Sequence, residues 1–209
     1  MARLSVELQR YFFEEERSDK VTLADILGLA GERIFGFLFV ILSLPSALPV
    51  PAPGYSIAFG VAMFLLAMQL IAGAKRPWFP QKMLAGTMKL EKVQGVVKAG
   101  IPWLRRIEAI SRPRLTHICT SWPGRVAIGV AIAGMSVSMM IPIPGTNTLP
   151  AMGIFVTGFG LMEDDGAISL AGLVLCVMAG ILSASIVIAL AIGGSSLLDV
   201  IKDAIKDLL

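Results

Sequence analysis

Long apolar blocks alternate with compact polar and charged segments along this chain. Residues 1–33 are amphipathic: Leu4, Val6, Leu8, Tyr11, Phe12 and Phe13 supply apolar surface among charged neighbours. Asp19 to Arg33 reads as a short helix, with Thr22 as cap and Asp25 completing a capping-box-like pair. Leu23, Ile26, Leu27, Leu29 and Ala30 share one side of it, which places it at a membrane surface. The first apolar block, residues 34–72, is interrupted by LSLPSALPVPAPGYS. Its arms, Ile34 to Leu48 and Ser56 to Ala72, reach roughly 22 and 26 Å, against roughly 30 Å of hydrocarbon. The pair predicts a helical hairpin that dips into the membrane and returns, or two tilted short spans. A second interrupted block occupies 123–162, its apolar run starting at Val126 and breaking at MIPIPGTNTLP. The third, 167–193, is long enough at roughly 40 Å to cross once with tilt. Residues 195–209 close the sequence as an amphipathic helix carrying Asp199, Lys202, Asp203, Lys206 and Asp207.

Composition narrows the fold class. With 56% hydrophobic residues, 16% charged and a mean hydropathy of +0.78, the chain lies outside the soluble globular range. It reads as an all-α integral membrane protein built from two Pro-broken, re-entrant-like hairpins, one longer transmembrane helix and surface amphipathic helices. The connector at 73–120 holds ten Lys and Arg residues against Glu91 and Glu108, so the positive-inside rule sets it on the cytoplasmic side. Its apolar stripe (Met83, Met88, Leu90, Val93, Val96, Val97) and Trp78 and Trp103 suit the headgroup layer. Such flanks are too apolar, and aromatics too few, for a nucleic-acid surface. The N-terminus lacks the apolar run of a signal peptide, since Glu14, Glu15, Glu16, Arg17 and Asp19 occupy it. Cys119 and Cys176 have no metal-ligand spacing and read as separate buried residues without a disulfide. No P-loop, HExxH or nucleophile–base pair is visible, so neither an enzyme nor a bound cofactor or metal is expected.

A shift of 93 positions brings the two broken blocks into register. Pro49 and Pro51 fall on Pro142 and Pro144, Gly36 on Gly129, Ser43 on Ser136, Ala58 on Ala151 and Gly60 on Gly153. Gly54 meets Asn147, and these are the two residue types that most readily adopt positive φ. A Pro-x-Pro pair leaves nearby carbonyls without helical donors, and such groups cannot face lipid. They are buried in protein or line a watered cavity. After each break a helix begins, whose first N–H groups favour a polar ligand. Paired interrupted helices point to transporter sites, although a packed hairpin tip with a purely structural role explains them too. Pro49, Pro51, Gly54, Tyr55 and Ser56 in one half, and Pro142, Pro144, Thr146, Asn147 and Thr148 in the other, are the candidate substrate residues. Glu32, Arg33, Arg125, Glu163 and Asp164 are the candidate gating charges; the alternatives are snorkelling for the arginines and a solvated acidic turn for Glu163-Asp164-Asp165. His117 reads as an interfacial residue.

Three strings resemble the ExoD family of bacterial exopolysaccharide-synthesis membrane proteins. They are GERIFGFLFVILSLPSALPVPAPG from Gly31, RPWFP from Arg76 with RRIEAISRPR from Arg105, and IPIPGTNTLPAMGIFVTGFGLMEDDG from Ile141. The resemblance covers roughly residues 20–195 and implies a multi-pass protein of the bacterial inner membrane, tied to a process and not to a defined reaction. The expected function is a small permease working as a homo-oligomer, a dimer being favoured, in the lipid bilayer. Two other readings stay open: a non-catalytic assembly factor that docks polysaccharide-synthesis proteins through Arg105 and Arg106, and a scramblase of lipids or lipid-linked sugars.

Overall fold

The computed structural model describes residues 33–47, 55–79, 111–141 and 147–206 as continuous segments. Shorter described pieces are 9–14, 20–22, 87–89 and single residues at 6, 28, 94, 98, 105 and 109, and side chains are described as far as Ala189. Six helices carry the fold: α1 (Ile34–Ala47), α2 (Tyr55–Ile71), α3 (His117–Thr120), α4 (Trp122–Met140), α5 (Thr148–Met162) and α6 (Gly166–Lys206). A π-helical turn, Arg10–Glu14, precedes two short strands, β1 (Lys20–Thr22) and β2 (Thr87–Lys89), paired antiparallel with Val21 opposite Met88. The expected helix from Asp19 is corrected at its start, because Lys20–Thr22 is extended and Thr22 pairs with Thr87. This ladder also ties part of the basic connector to the N-terminal segment, and Arg105 reaches back to Gln9 Oε1.

Helix ends follow local chemistry. Ser121 caps α4 by accepting from Gly124 N–H at 3.3 Å, and Pro123 lies in the first turn, where a missing N–H is harmless. The helix stops at Ile141, which is extended because Pro142 follows. Gly73, at φ +80°, closes α2: Ala74 N–H donates to Gln69 O and Gly73 N–H to Leu70 O, a Schellman pair. Asp164, at φ +53°, ends α5 in the same left-handed conformation, and Asp165 N–H returns to Gly160 O.

The broken blocks do not pack as two independent hairpins. Helix α1 packs mainly on α5, and α2 mainly on α4. Both pairs run antiparallel. Gly36 near the start of α1 faces Gly158 and Met162 near the end of α5, while Gly129 in α4 faces Ala67 and Ile71 at the end of α2. Helix α6 then runs back along α5, with Gly153 against Cys176, Gly172 against Thr157 and Gly160 against Ser169. Small residues allow these backbones to approach. The buried set includes Ser43, Ser136, Thr157 and Ser169, whereas Val61, Leu65, Val130, Val137, Val174, Val177 and Ile181 are exposed.

Among the described residues two helices are long and apolar enough to cross a membrane: Trp122–Met140 and, within α6, Gly166–Ala189. Helices α1, α2 and α5 are apolar but shorter. The first arm of the second block therefore has spanning length, at roughly 28 Å, unlike its partner in the first block. Helix α6 runs unbroken through Gly193 and Gly194, where the sequence pattern set a boundary before a separate C-terminal helix.

Candidate functional site

The antiparallel pairings sort the candidate residues to opposite ends of the bundle. The starts of α1, α4 and α6 and the ends of α2 and α5 gather at one end, with Arg33, Arg125, Glu163 and Asp164. The end of α1 and the start of α5 gather at the other, with Asn147 and Thr148. Across α5 the two ends are roughly 22 Å apart. Pro49, Pro51, Gly54, Pro142, Pro144 and Thr146 lie outside the described residues, as does Glu32. Tyr55 begins α2 without a described side chain, and Ser56 and Thr148 are half-buried.

At the charged end, Arg33 and Glu163 form an ion pair at 4.0 Å, with side chains 19% and 12% exposed. The pair is largely shielded from solvent, so neutralising one partner leaves the other charge poorly compensated. Glu163→Gln is therefore expected to lower the thermal midpoint in detergent, and an unchanged midpoint contradicts this. Arg125 does different work. Its Nη2 donates to Ala74 O at 3.0 Å and its guanidinium lies 5.9 Å from the Phe35 ring centroid. A cation at the C-terminal end of α2 is favourable, and this one links α2, α4 and α1. The neighbouring Trp78 and Trp122 are 73% and 66% exposed, and Gln69 Oε1 accepts from Trp78 N–H to hold the loop after α2.

Asp165 corrects the expectation of a solvated acidic turn. It is 2% exposed, and its carboxylate accepts from Ala167 and Ile168 N–H at the start of α6 and from Arg112 N–H at 3.0 Å. Gly166 N–H donates to Arg114 O at 2.7 Å beside the left-handed Leu115. Asp165 thus caps α6 and fastens the connector's last residues to it. The sequence carried a signal for this role, an Asp directly before an apolar run.

Behind this cap runs a buried chain of small polar groups. Cys119 Sγ lies 3.4 Å from Ser169 Oγ, which donates to Thr157 O; Thr157 Oγ1 donates to Gly153 O and lies 3.8 Å from Cys176 Sγ. Both cysteines are free and buried. Burial pushes the Cys119 thiol up from its ordinary range, with Asp164 and Asp165 adding to the effect and the Ser169 hydrogen bond opposing it. Burial of this kind disfavours the reactive thiolate. Among the described residues no His, Cys, Asp and Glu gather in a set able to hold a metal ion.

Buried polar atoms without a partner occur at the Pro-turn end, as Arg125 Nε does at the charged end. Asn147 precedes α5 as its N-cap but makes no side-chain capping bond, and its Oδ1 is buried with no hydrogen-bond partner. Ser46, in the last turn of α1, has the same deficit and was not singled out by sequence. An unpaired buried oxygen costs about 1–3 kcal/mol, so two at one end need an explanation.

Comparison with known proteins sets these features in a family. The chain matches the family model described as "Exopolysaccharide synthesis, ExoD" over residues 4–185. An uncharacterized protein of Synechocystis sp. is 54% identical over 206 residues, covering 99% of this chain and 97% of that protein. Protein ExoD of Rhizobium meliloti is 29% identical over 153 residues, covering 72% of this chain and 63% of its own length. No solved structure matches. With nearly its whole length matched, the chain belongs to the ExoD family, which the family description ties to exopolysaccharide synthesis.

Proposed function

We propose that this chain is a small multi-pass permease of the bacterial inner membrane, serving exopolysaccharide production without catalysing a reaction. Its solute site lies at the Pro-broken end of the bundle. Arg33, Arg125, Glu163 and Asp164 guard the opposite, cytoplasmic end. The observation that carries this reading is the buried, unpartnered Asn147 Oδ1, at the point where the second break returns to helix. A merely structural hairpin tip has no use for it. Exposed Val, Leu and Ile along α2, α4 and α6 support lipid surroundings.

The repeat belongs to the same proposal. Under the 93-residue shift the buried Phe35, Gly36, Phe39, Ser43 and Ser46 of α1 fall on Ile128, Gly129, Ile132, Ser136 and Met139 of α4, which are buried too. Each half lends one arm to the other, α1 to α5 and α2 to α4, as a twofold axis parallel to the helices requires. Both hairpins then enter from one side, a parallel repeat and not an inverted one. So few short helices enclose little, and two copies of the chain complete the wall.

The test is flux from proteoliposomes loaded with radiolabelled sugars, sugar phosphates and amino acids. Wild-type protein is expected to move at least one of them, and Asn147→Ala to move it roughly three- to tenfold more slowly at low solute concentration while keeping its elution volume and helicity. Equal flux in the variant sinks the site assignment. No flux of any solute through the wild type sinks the permease reading.

A further inference from the structure

Other buried hydroxyls in this bundle have partners, Ser169 across to Thr157 O of α5 and the rest within their own helix. Ser43 donates to Val40 O, Ser136 to Ile132 O and Thr157 to Gly153 O. Ser46 does not: it is 5% exposed, and its Oγ is buried without a partner. The α1–α5 register places it. Gly36 faces Gly158 and Met162, and Gly158 faces Phe39 and Val40, so the last turn of α1 lies beside the first turn of α5. Ser46 and Asn147 therefore share one end of one helix pair. The first turn of α5 adds donors, because a helix leaves its first N–H groups without intrahelical acceptors, and the Asn147 side chain caps none of them. Pro150 contributes no N–H there, which leaves Thr148 and Leu149 as the donors in that turn.

We propose that Ser46, Asn147 and the first-turn N–H groups of α5 form a binding site for the hydroxyls of a neutral sugar. The argument is an inventory of donors and acceptors. An anion would be drawn to the N–H groups and the positive end of α5, but would meet the lone pairs of Asn147 Oδ1. A cation would suit Oδ1 and be repelled by the helix end. A hydroxyl both donates and accepts, so neighbouring hydroxyls on one ring satisfy Oδ1, the Ser46 hydroxyl and the N–H groups together. The choice of a sugar over another neutral ligand rests on the permease reading and on the family's tie to exopolysaccharide.

The experiment is calorimetric titration of the full chain in lipid nanodiscs with D-glucose, D-galactose and D-mannose, against D-glucuronate and D-glucosamine. At least one neutral sugar is expected to bind, and to bind more tightly than both charged analogues. Ser46→Ala and Asn147→Ala are each expected to weaken that binding roughly three- to tenfold, the value of one neutral hydrogen bond. Ser46→Ala also removes an unpaired buried hydroxyl, so the sugar-free variant is expected to melt at the wild-type temperature or above it. A hydroxyl with a purely structural role would instead lower it. Binding of no neutral sugar, equal or tighter binding of a charged analogue, or unchanged binding in Ser46→Ala overturns the proposal. Sugar binding that is weakened in both variants, with no flux through wild-type protein, removes the permease and leaves the site. Flux combined with unchanged binding in Ser46→Ala removes the site alone.

Discussion

Gly36→Ala is expected to destabilise the fold by about 2 kcal/mol and lower its thermal midpoint by roughly 4–8 °C. A Cβ at Gly36 would lie 2.7 Å from Gly158 O and 2.7 Å from Met162 Cα, and would press on Met162 N as well. All three are backbone atoms, so no side chain can rotate away. Across the same contact, Gly158 has room for no more than the Phe39 Cβ it faces, so α1 and α5 must separate along much of their length. Alanine gains about 1 kcal/mol of helix propensity over glycine, which offsets part of the loss but not the whole. Gly134 in α4 supplies the control, because a Cβ there meets nothing within 4 Å. Gly134→Ala is expected to leave the midpoint unchanged or to raise it. Circular dichroism melts of both variants in one detergent decide the matter, and equal midpoints would contradict the close packing of α1 on α5.

The second large effect belongs to Asp165. Asp165→Ala removes the cap of α6 and the acceptor for Arg112 N–H, for a combined cost of about 2–4 kcal/mol. Asp165→Asn keeps a side-chain oxygen for the cap and is expected to lose less than half as much. The consequence is local as well as global. Once Arg112 is released, the segment before α3 opens, and trypsin gains access to the Arg114–Leu115 bond. Limited proteolysis at native temperature is expected to cut Asp165→Ala there several times faster than wild type. Indistinguishable cleavage rates would show that Asp165 does not fasten the connector.

The parts of this fold legible in the sequence are those with local causes. Apolar runs bounded by Pro142, Gly73 and the acidic turn gave helices near their observed limits, because turn and cap chemistry acts within a few residues. Asn147 could be singled out because a polar residue just after a Pro break is locally conspicuous. The exchange of arms between the blocks was not legible. Periodicity reveals which face of a helix is buried, but not which partner buries it, and Gly36 finds Met162 across most of the chain. Ser46 escaped notice for a related reason: whether a hydroxyl is satisfied by its own helix or left open depends on packing that sequence does not display. Gly193 and Gly194 misled in the opposite direction. They weaken a helix in water, yet in an apolar setting the backbone bonds of α6 have no competitor, and the helix continues.

On the permease reading, the gathering of Arg33, Arg125, Glu163 and Asp164 at one end of the bundle bears on how the chain enters a bilayer. In that arrangement the segments between the arms, residues 48–54 and 141–147, would travel to the far side, and neither holds a single ionisable group. Each hairpin can partition as a unit without dragging a charge through hydrocarbon, a step that costs about 2.5–3.5 kcal/mol per charged residue on insertion scales. On that reading α6 alone would deliver charge across, through Asp199, Lys202, Asp203, Lys206 and Asp207, which sum to −1. The ten cations of the connector are never asked to move. On the proposed reading the orientation would be set by what the folding chain leaves behind, with the C-terminal segment opposite the connector.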